Sequence, residues 1–385
     1  MLPAKRPNME EIPSLYAALQ EVPDHRDDQG KRHPLPAMLA LASVALLCNY
    51  QTPKAISEWV DNYGRKYLAL FGFTYPEPPG QATWYRVLGA IDWEALEARI
   101  TQWALQVLQV LACHSTLPGI AIDGKTLRGS KQQGASDSHL LSAVVHQLGL
   151  TLAQVAVSAK TNEIGVVRDL LSKLVVKGHV FTTDALLTQR ELAADILERG
   201  GDYVFVVKRN QPQLHADIEL LFESPPPLPR GASWPEVERS TAGHGRIERR
   251  SLTSSTLLNE YVDFPGVQQV FRVQRRVIEK RTGAITTQTV YGVTSLSPGK
   301  ADAAQLLTYV RQHWHIENKS HWIRDVVFDE DRAQTRQGRL PQVMATLRNA
   351  VISLLRACGI QRITQARRRF AARPNEAIAL LGISA

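Results

Sequence analysis

Residues 119–123 read GIAID, residues 180–184 read VFTTD and residues 203–207 read YVFVV. Each run is too short for a helix and rich in apolar, β-branched or aromatic residues, so each predicts a buried strand. Amphipathic helical stretches lie at 163–174, 189–199 and 212–222. Two further strand candidates, 139–148 and 151–158, precede them, with Gly149 near their turn. The predicted order is β-β-β-α-β-α-β-α. That is an α/β fold in which an antiparallel meander leads into parallel βαβ units.

Outward from this core the character changes on both sides. Residues 1–115 read as an all-α module, with helices at 35–47, 53–70, 81–89 and 93–112 and a break at PEPPG, 76–80. Residues 116–223 hold the α/β pattern. A proline-rich break at 224–229 opens a β-rich segment, 224–298, with strands at 237–241, 247–254, 267–278 and 284–294. The last two flank Arg281-Thr282-Gly283, a hairpin turn. Residues 299–385 return to helix, first to about 323, then at 340–358 and in a short C-terminal helix.

Composition narrows the function classes. The 385 residues are 44% hydrophobic and 21% charged, which excludes wholesale disorder. A net charge of +8 favours a polyanionic partner. Cys48, Cys113 and Cys358 lie far apart and form no CxxC pair. That pattern excludes a disulfide scaffold and a thiolate zinc site and suits a reducing cytoplasm. Residues 1–12 are charged and proline-broken, unlike a signal peptide. The longest apolar run, 35–47, has 13 residues, whereas a membrane span needs about 20.

Three acids attract attention. Asp123 and Asp184 each close a predicted strand, where two neighbouring carboxylates repel unless a cation neutralises them. Taken singly, each is also a good turn or helix-capping residue. Val310, Trp314, Glu317 and His321 are spaced 4, 3 and 4 on one predicted helix, which turns Glu317 toward the core. An ion pair with His313 or His321 is the competing reading. Three such acids suit a two-metal centre, in which one cation activates the attacking oxygen and the other stabilises the leaving one. Asp325, Asp329, Glu330 and Asp331 read instead as a solvated face, and Trp314 as a core residue.

At this point the motifs match a family. AIDGKTLRGS (121–130), KTNEI (160–164), FTTDALLTQ (181–189), VKRNQPQLHADI (207–218), GHGRIERR (243–250) and HWHIENKSHWIRDVVFDED (313–331) occur in one order along the chain. Together they resemble bacterial insertion-sequence transposases of the ISAs type, the H-repeat-associated proteins. DHRDDQGKRHPL (24–35) resembles that family's associated helical domain. The resemblance implies a ribonuclease-H-like, retroviral-integrase-like core with a β-rich insertion behind an all-α N-terminal domain. It implies a DDE triad of Asp123, Asp184 and Glu317 holding two Mg²⁺ ions, with Mn²⁺ able to substitute. The glutamate pattern of related families, Tyr-x2-Arg-x3-Glu-x6-Lys, reads here Val310, His313, Glu317 and Arg324. Arg209 stands where a glycine is usual.

The implied partners are double-stranded DNA, as element terminal inverted repeats and as target. The active complex is expected to be at least a dimer, cytoplasmic and nucleoid-associated. Candidate phosphate contacts are Lys125, Arg128, Lys160, Lys208, Arg246, Arg249, Arg250, His313 and Arg324. Further cations lie on the strand at 267–278 and in the stretch 361–373. Two functional readings from different classes follow. One is a DDE transposase that cuts element ends and joins them to target; the other is a catalytically silent, transposase-derived DNA-binding protein. A third, a nuclease without joining activity, differs only in strand transfer.

Overall fold

The structure, a computed structural model, describes residues 11–111, 118–127, 138–157, 163–227, 230, 233–243, 245–314, 316–333 and 336–383. It is a mixed α/β protein with an N-terminal helical region and a large sheet. It divides into two compact units. One comprises Met1–Thr116, Gly124–Thr161 and Ile316–Ala385, and the other Leu117–Asp123 and Asn162–His315.

The first unit opens with α1 (Leu15–Gln20), α2 (Leu35–Leu47), α3 (Pro53–Trp59), α4 (Gln81–Ala90) and α5 (Trp93–Leu111). Proline in the first turn of α2 costs no hydrogen bond there, and the helix is apolar all round because nearly all of it is buried. The predicted helix 53–70 is only partly α: after α3 the chain winds through a π-type and then a 3₁₀ turn to Tyr67. Strand β1 (Gly119–Leu127) begins in the second unit and ends in the first. Strands β2 (Ser138–Val145) and β3 (Thr151–Val157) then pair antiparallel, turning through Gly149 at φ +69°.

The second unit carries α6 (Glu163–Ser172), β4 (Val180–Thr183), α7 (Arg190–Glu198), β5 (Asp202–Val207) and α8 (Pro212–Glu223). Next come β6 (Glu236–Gly243), β7 (Arg246–Ser255), β8 (Gln269–Glu279), β9 (Ile285–Thr294) and α9 (Ala303–His313). Its strands run β1-β4-β5-β9-β8-β7-β6. The first three are parallel, and β9 then pairs antiparallel with β5. The β-rich segment is therefore hydrogen-bonded into the same sheet. Gly283, at φ +70°, makes the β8–β9 turn, which a side chain would strain. The core gathers Val180, Val204, Leu252, Phe271 and Val273 against Leu306 and Leu307 of α9. Each such side chain contributes about 1.5–3 kcal/mol by leaving water. A capping box of Asp302 and Gln305 starts α9.

The first unit closes with α10 (Leu340–Ala357), α11 (Ile363–Ala372) and α12 (Pro374–Leu380). The expected single helix from 300 to 323 is corrected here. α9 ends at His313, Trp314 caps it, and Glu317–His321 is wound as a π-type turn. That winding takes more residues per turn than an α-helix, so the 4-3-4 stripe does not carry through. Trp314 is 58% exposed instead of packed in the core, and Glu317 is exposed instead of turned inward.

Candidate active site

The parallel pairing of β1 and β4 sets the register Gly119↔Val180 through Ile122↔Thr183. The next residues on the two strands are Asp123 and Asp184. They stand level on neighbouring strands, whose axes are about 4.8 Å apart, and both are half-buried. β1 continues to Leu127, so Asp123 lies within a strand, whereas the sequence placed it at a strand end. β4 does end at Thr183, and Asp184 opens a loop.

That loop is fastened in several ways. The Leu187 amide donates to Asp184 Oδ1 at 3.2 Å, so the turn-capping role is real and coexists with any other. Thr188 Oγ1 donates to the carbonyls of Asp184 and Val206. Asn210 Nδ2 donates to the Ala185 carbonyl at 2.5 Å, and Gln211 Nε2 to the Thr188 carbonyl at 3.2 Å. The motifs at 181–189 and 207–218 therefore meet in space. Sequence reasoning gave Asn210 and Gln211 no role; their amides, set between a strand and a helix-starting proline, were the available signal. Arg209 keeps an ordinary negative φ, since Asn49 and Asp329 are the non-glycine residues at positive φ among the described residues.

His313 ends α9 beside this loop, its Nδ1 2.9 Å from Thr182 Oγ1 on β4. Desolvation pushes the imidazole down to about 4, with the nearby Asp184 carboxylate only partly opposing the shift. The ring is neutral at pH 7 in the folded chain.

The chain matches the family model for DDE_Tnp_1-associated domains over residues 16–104 and that for the transposase DDE domain over residues 114–354. The chain belongs to the DDE transposase family. The transposase is 29% identical over 367 residues to "Putative transposase YncI" of Escherichia coli O157:H7, covering 90% of this chain and 88% of that one. It is 29% identical over 361 residues to "H repeat-associated putative transposase YhhI" of Escherichia coli K12, with 90% and 91% covered. Among solved structures, the piggyBac transposase synaptic complex with hairpin DNA aligns at a TM-score of 0.44 and 10% identity. That alignment covers 98% of this chain and 79% of that one.

The remaining predicted site residues of the transposase are divided between the two units. Arg324 is 0% exposed and its guanidinium is held by Glu330 at 2.8 Å, so it offers no surface to DNA. Lys125 is 7% exposed and committed to Asp325. Glu330, expected on a solvated face, is 5% exposed between Arg324 and Arg348. Arg250 pairs with Glu248 at 2.6 Å. Lys208, Arg246 and Arg249 are exposed. Arg128 and Lys160 lie outside the described residues. In the stretch 361–373, Arg367 is buried over the Phe328 ring, while Arg362 and Arg368 are exposed.

Asp123 and Asp184 present hard carboxylate oxygens side by side, which suits Mg²⁺. Among the described residues no group of three or more His, Cys, Asp or Glu side chains is gathered to hold a metal. The geometry thus offers a carboxylate pair. No helix among the described residues is long and apolar enough to cross a membrane.

Proposed function

We propose that the protein cuts insertion-sequence ends and joins them to target DNA, with Asp123 and Asp184 as the carboxylates that hold Mg²⁺ and Glu317 as the third acid. The observation that carries this reading is the register of β1 and β4, which sets two acids level on adjacent strands within a DDE domain. A ribonuclease-H-like core is the finer fold this implies. The bound ions would activate an oxygen nucleophile and stabilise the leaving oxygen at phosphorus. The chain's own part is to hold the two carboxylates in register and keep the Asp184 loop tied through Thr188, Asn210 and Gln211. His313 stays neutral and anchors α9 to β4 at Thr182. The N-terminal helical region would recognise the terminal inverted repeats, and two chains would pair two DNA ends.

The test is nicking of a labelled element end with Mg²⁺ or Mn²⁺, beside a binding assay. Wild-type protein nicks, and Asp123→Asn binds without nicking. Nicking retained by Asp123→Asn removes the assignment. Binding without nicking by the wild type makes the chain a catalytically silent DNA-binding descendant.

A further inference from the structure

The strands β6 to β9 carry three cross-strand arginine pairs: Arg239–Arg250–Arg275 forms a row on one face, and Arg249–Arg276 stands on the other. Side chains alternate between faces along a strand. Arg250 of β7 lies opposite Arg275 of β8, and Arg249 lies opposite Arg276. On the first face Glu248 bridges both cations, at 2.6 Å to Arg250 and in direct contact with Arg275. On the second face Arg249 and Arg276 are both exposed, and neither side chain makes an ion pair or hydrogen bond among the described residues. Glu238, on the same face one row along, is exposed and pairs with neither.

Like charges directly opposite on a sheet are destabilising. On the first face one carboxylate serves Arg250 and Arg275 and offsets part of their charge, whereas the Arg249–Arg276 pair on the second has no carboxylate in contact among the described residues. The row that holds the second pair continues as Ser240 on β6 and Thr287 on β9, both exposed hydroxyls. Helix α8 covers the near part of this face, where Arg272 stacks over Phe222 and donates to its carbonyl. Beyond that cover the row of Ser240, Arg249, Arg276 and Thr287 is open and cationic, and the row after it is apolar, with Ala242, Ile247, Ile278 and an exposed Ile285. Guanidinium groups fit phosphate oxygens through paired N–H donors, and hydroxyls add further donors.

We propose that this open face binds the sugar–phosphate backbone of duplex DNA, with Arg249 and Arg276 clasping phosphodiesters between Ser240 and Thr287. The proposal rests on the transposase reading and names the surface that holds DNA away from the carboxylate pair. Backbone contacts of this kind position a duplex without reading its sequence.

The test measures the affinity of the full chain for a fluorescein-labelled mixed-sequence duplex across a salt series. Each lost phosphate contact flattens the slope of log affinity against log salt by about 1. Arg249→Gln/Arg276→Gln is expected to flatten it by about 2, and Arg276→Gln alone by about 1. Arg249→Lys/Arg276→Lys should keep the wild-type slope, because an ammonium also neutralises phosphate. Lys177→Gln/Arg199→Gln removes the same charge from two exposed positions elsewhere and should change neither slope nor affinity. An unchanged slope in Arg249→Gln/Arg276→Gln and in the single variant overturns the clamp. Metal-dependent nicking by the wild type would then still uphold the transposase reading. A wild-type chain that binds no duplex overturns both.

Discussion

Two charged assemblies in this protein look alike in sequence and differ in chemistry. In the second unit, Asp123 and Asp184 stand level on parallel strands, half-buried, and Asp184 has no lysine or arginine partner among the described residues. In the first unit, Glu330 is buried between Arg324 and Arg348. Burial alone would raise the Glu330 carboxyl, yet the two guanidinium groups outweigh it and hold the carboxyl below its usual range. The comparison teaches that convergence of charge does not mark a reactive site. A cluster that is buried and internally compensated holds its fold together. A half-buried carboxylate pair on adjacent strands presents hard oxygens of the kind Mg²⁺ takes.

The largest expected effect tests the carboxylate pair. Asp184→Asn should lower Mg²⁺-dependent nicking by about a thousandfold, the scale of losing a metal-held oxygen in the transition state. Duplex affinity and thermal stability should stay near wild type. A large loss of stability instead would make Asp184 a structural cap, as its bond from the Leu187 amide allows.

Next in size is the closed cluster. Glu330→Gln leaves two buried guanidinium groups uncompensated and should cost about 3–5 kcal/mol in denaturant unfolding. Nicking per folded molecule should survive. If nicking vanished while stability held, the contrast between the two assemblies would break.

The third prediction concerns pH. His313 is pushed from 6.5 down to about 4 in the folded chain, so the unfolded chain binds that proton first. Its contribution to stability is complete above pH 6.5 and is lost as pH falls through about 4. The full span is about 3 kcal/mol. His321, lowered to about 3 by burial and then by Arg324 and Lys125, adds a similar loss at lower pH. His313→Asn should flatten the acid limb of stability against pH relative to wild type, and an unchanged limb would place the titration elsewhere.

The smallest effect sharpens the Asp184 loop. Arg209 has an ordinary φ, so Arg209→Gly relieves no strain. It should lower stability by about 0.4–1 kcal/mol through the greater freedom of the unfolded chain. A gain in stability on thermal melting would show strain in this turn.

Much of the fold was legible. The runs at 180–183 and 203–207 are strands because short β-branched and aromatic stretches flanked by amphipathic helices have few other ways to bury themselves. The helix at 35–47 carries its own start signal and an apolar surface all round. The stripe through Glu317 failed because periodicity assumes one helix type, and the π-type winding after Trp314 breaks the period. Of the acids at 325–331, Glu330 departs from the expected solvated face, because a charge's partner need not be near it in sequence. Glu330 is matched by Arg348, a helix away.

By itself the sequence determined the family, through motifs in order, and the element plan, through local patterns of apolar residues and breakers. Only the tertiary structure decided which charges are spent. Lys125 and Arg324 are used up inside, while Arg249 and Arg276 are left facing water. The reason is physical. Whether a charge is free depends on desolvation and on partners tens or hundreds of residues away, and both are set by how strands and helices pack.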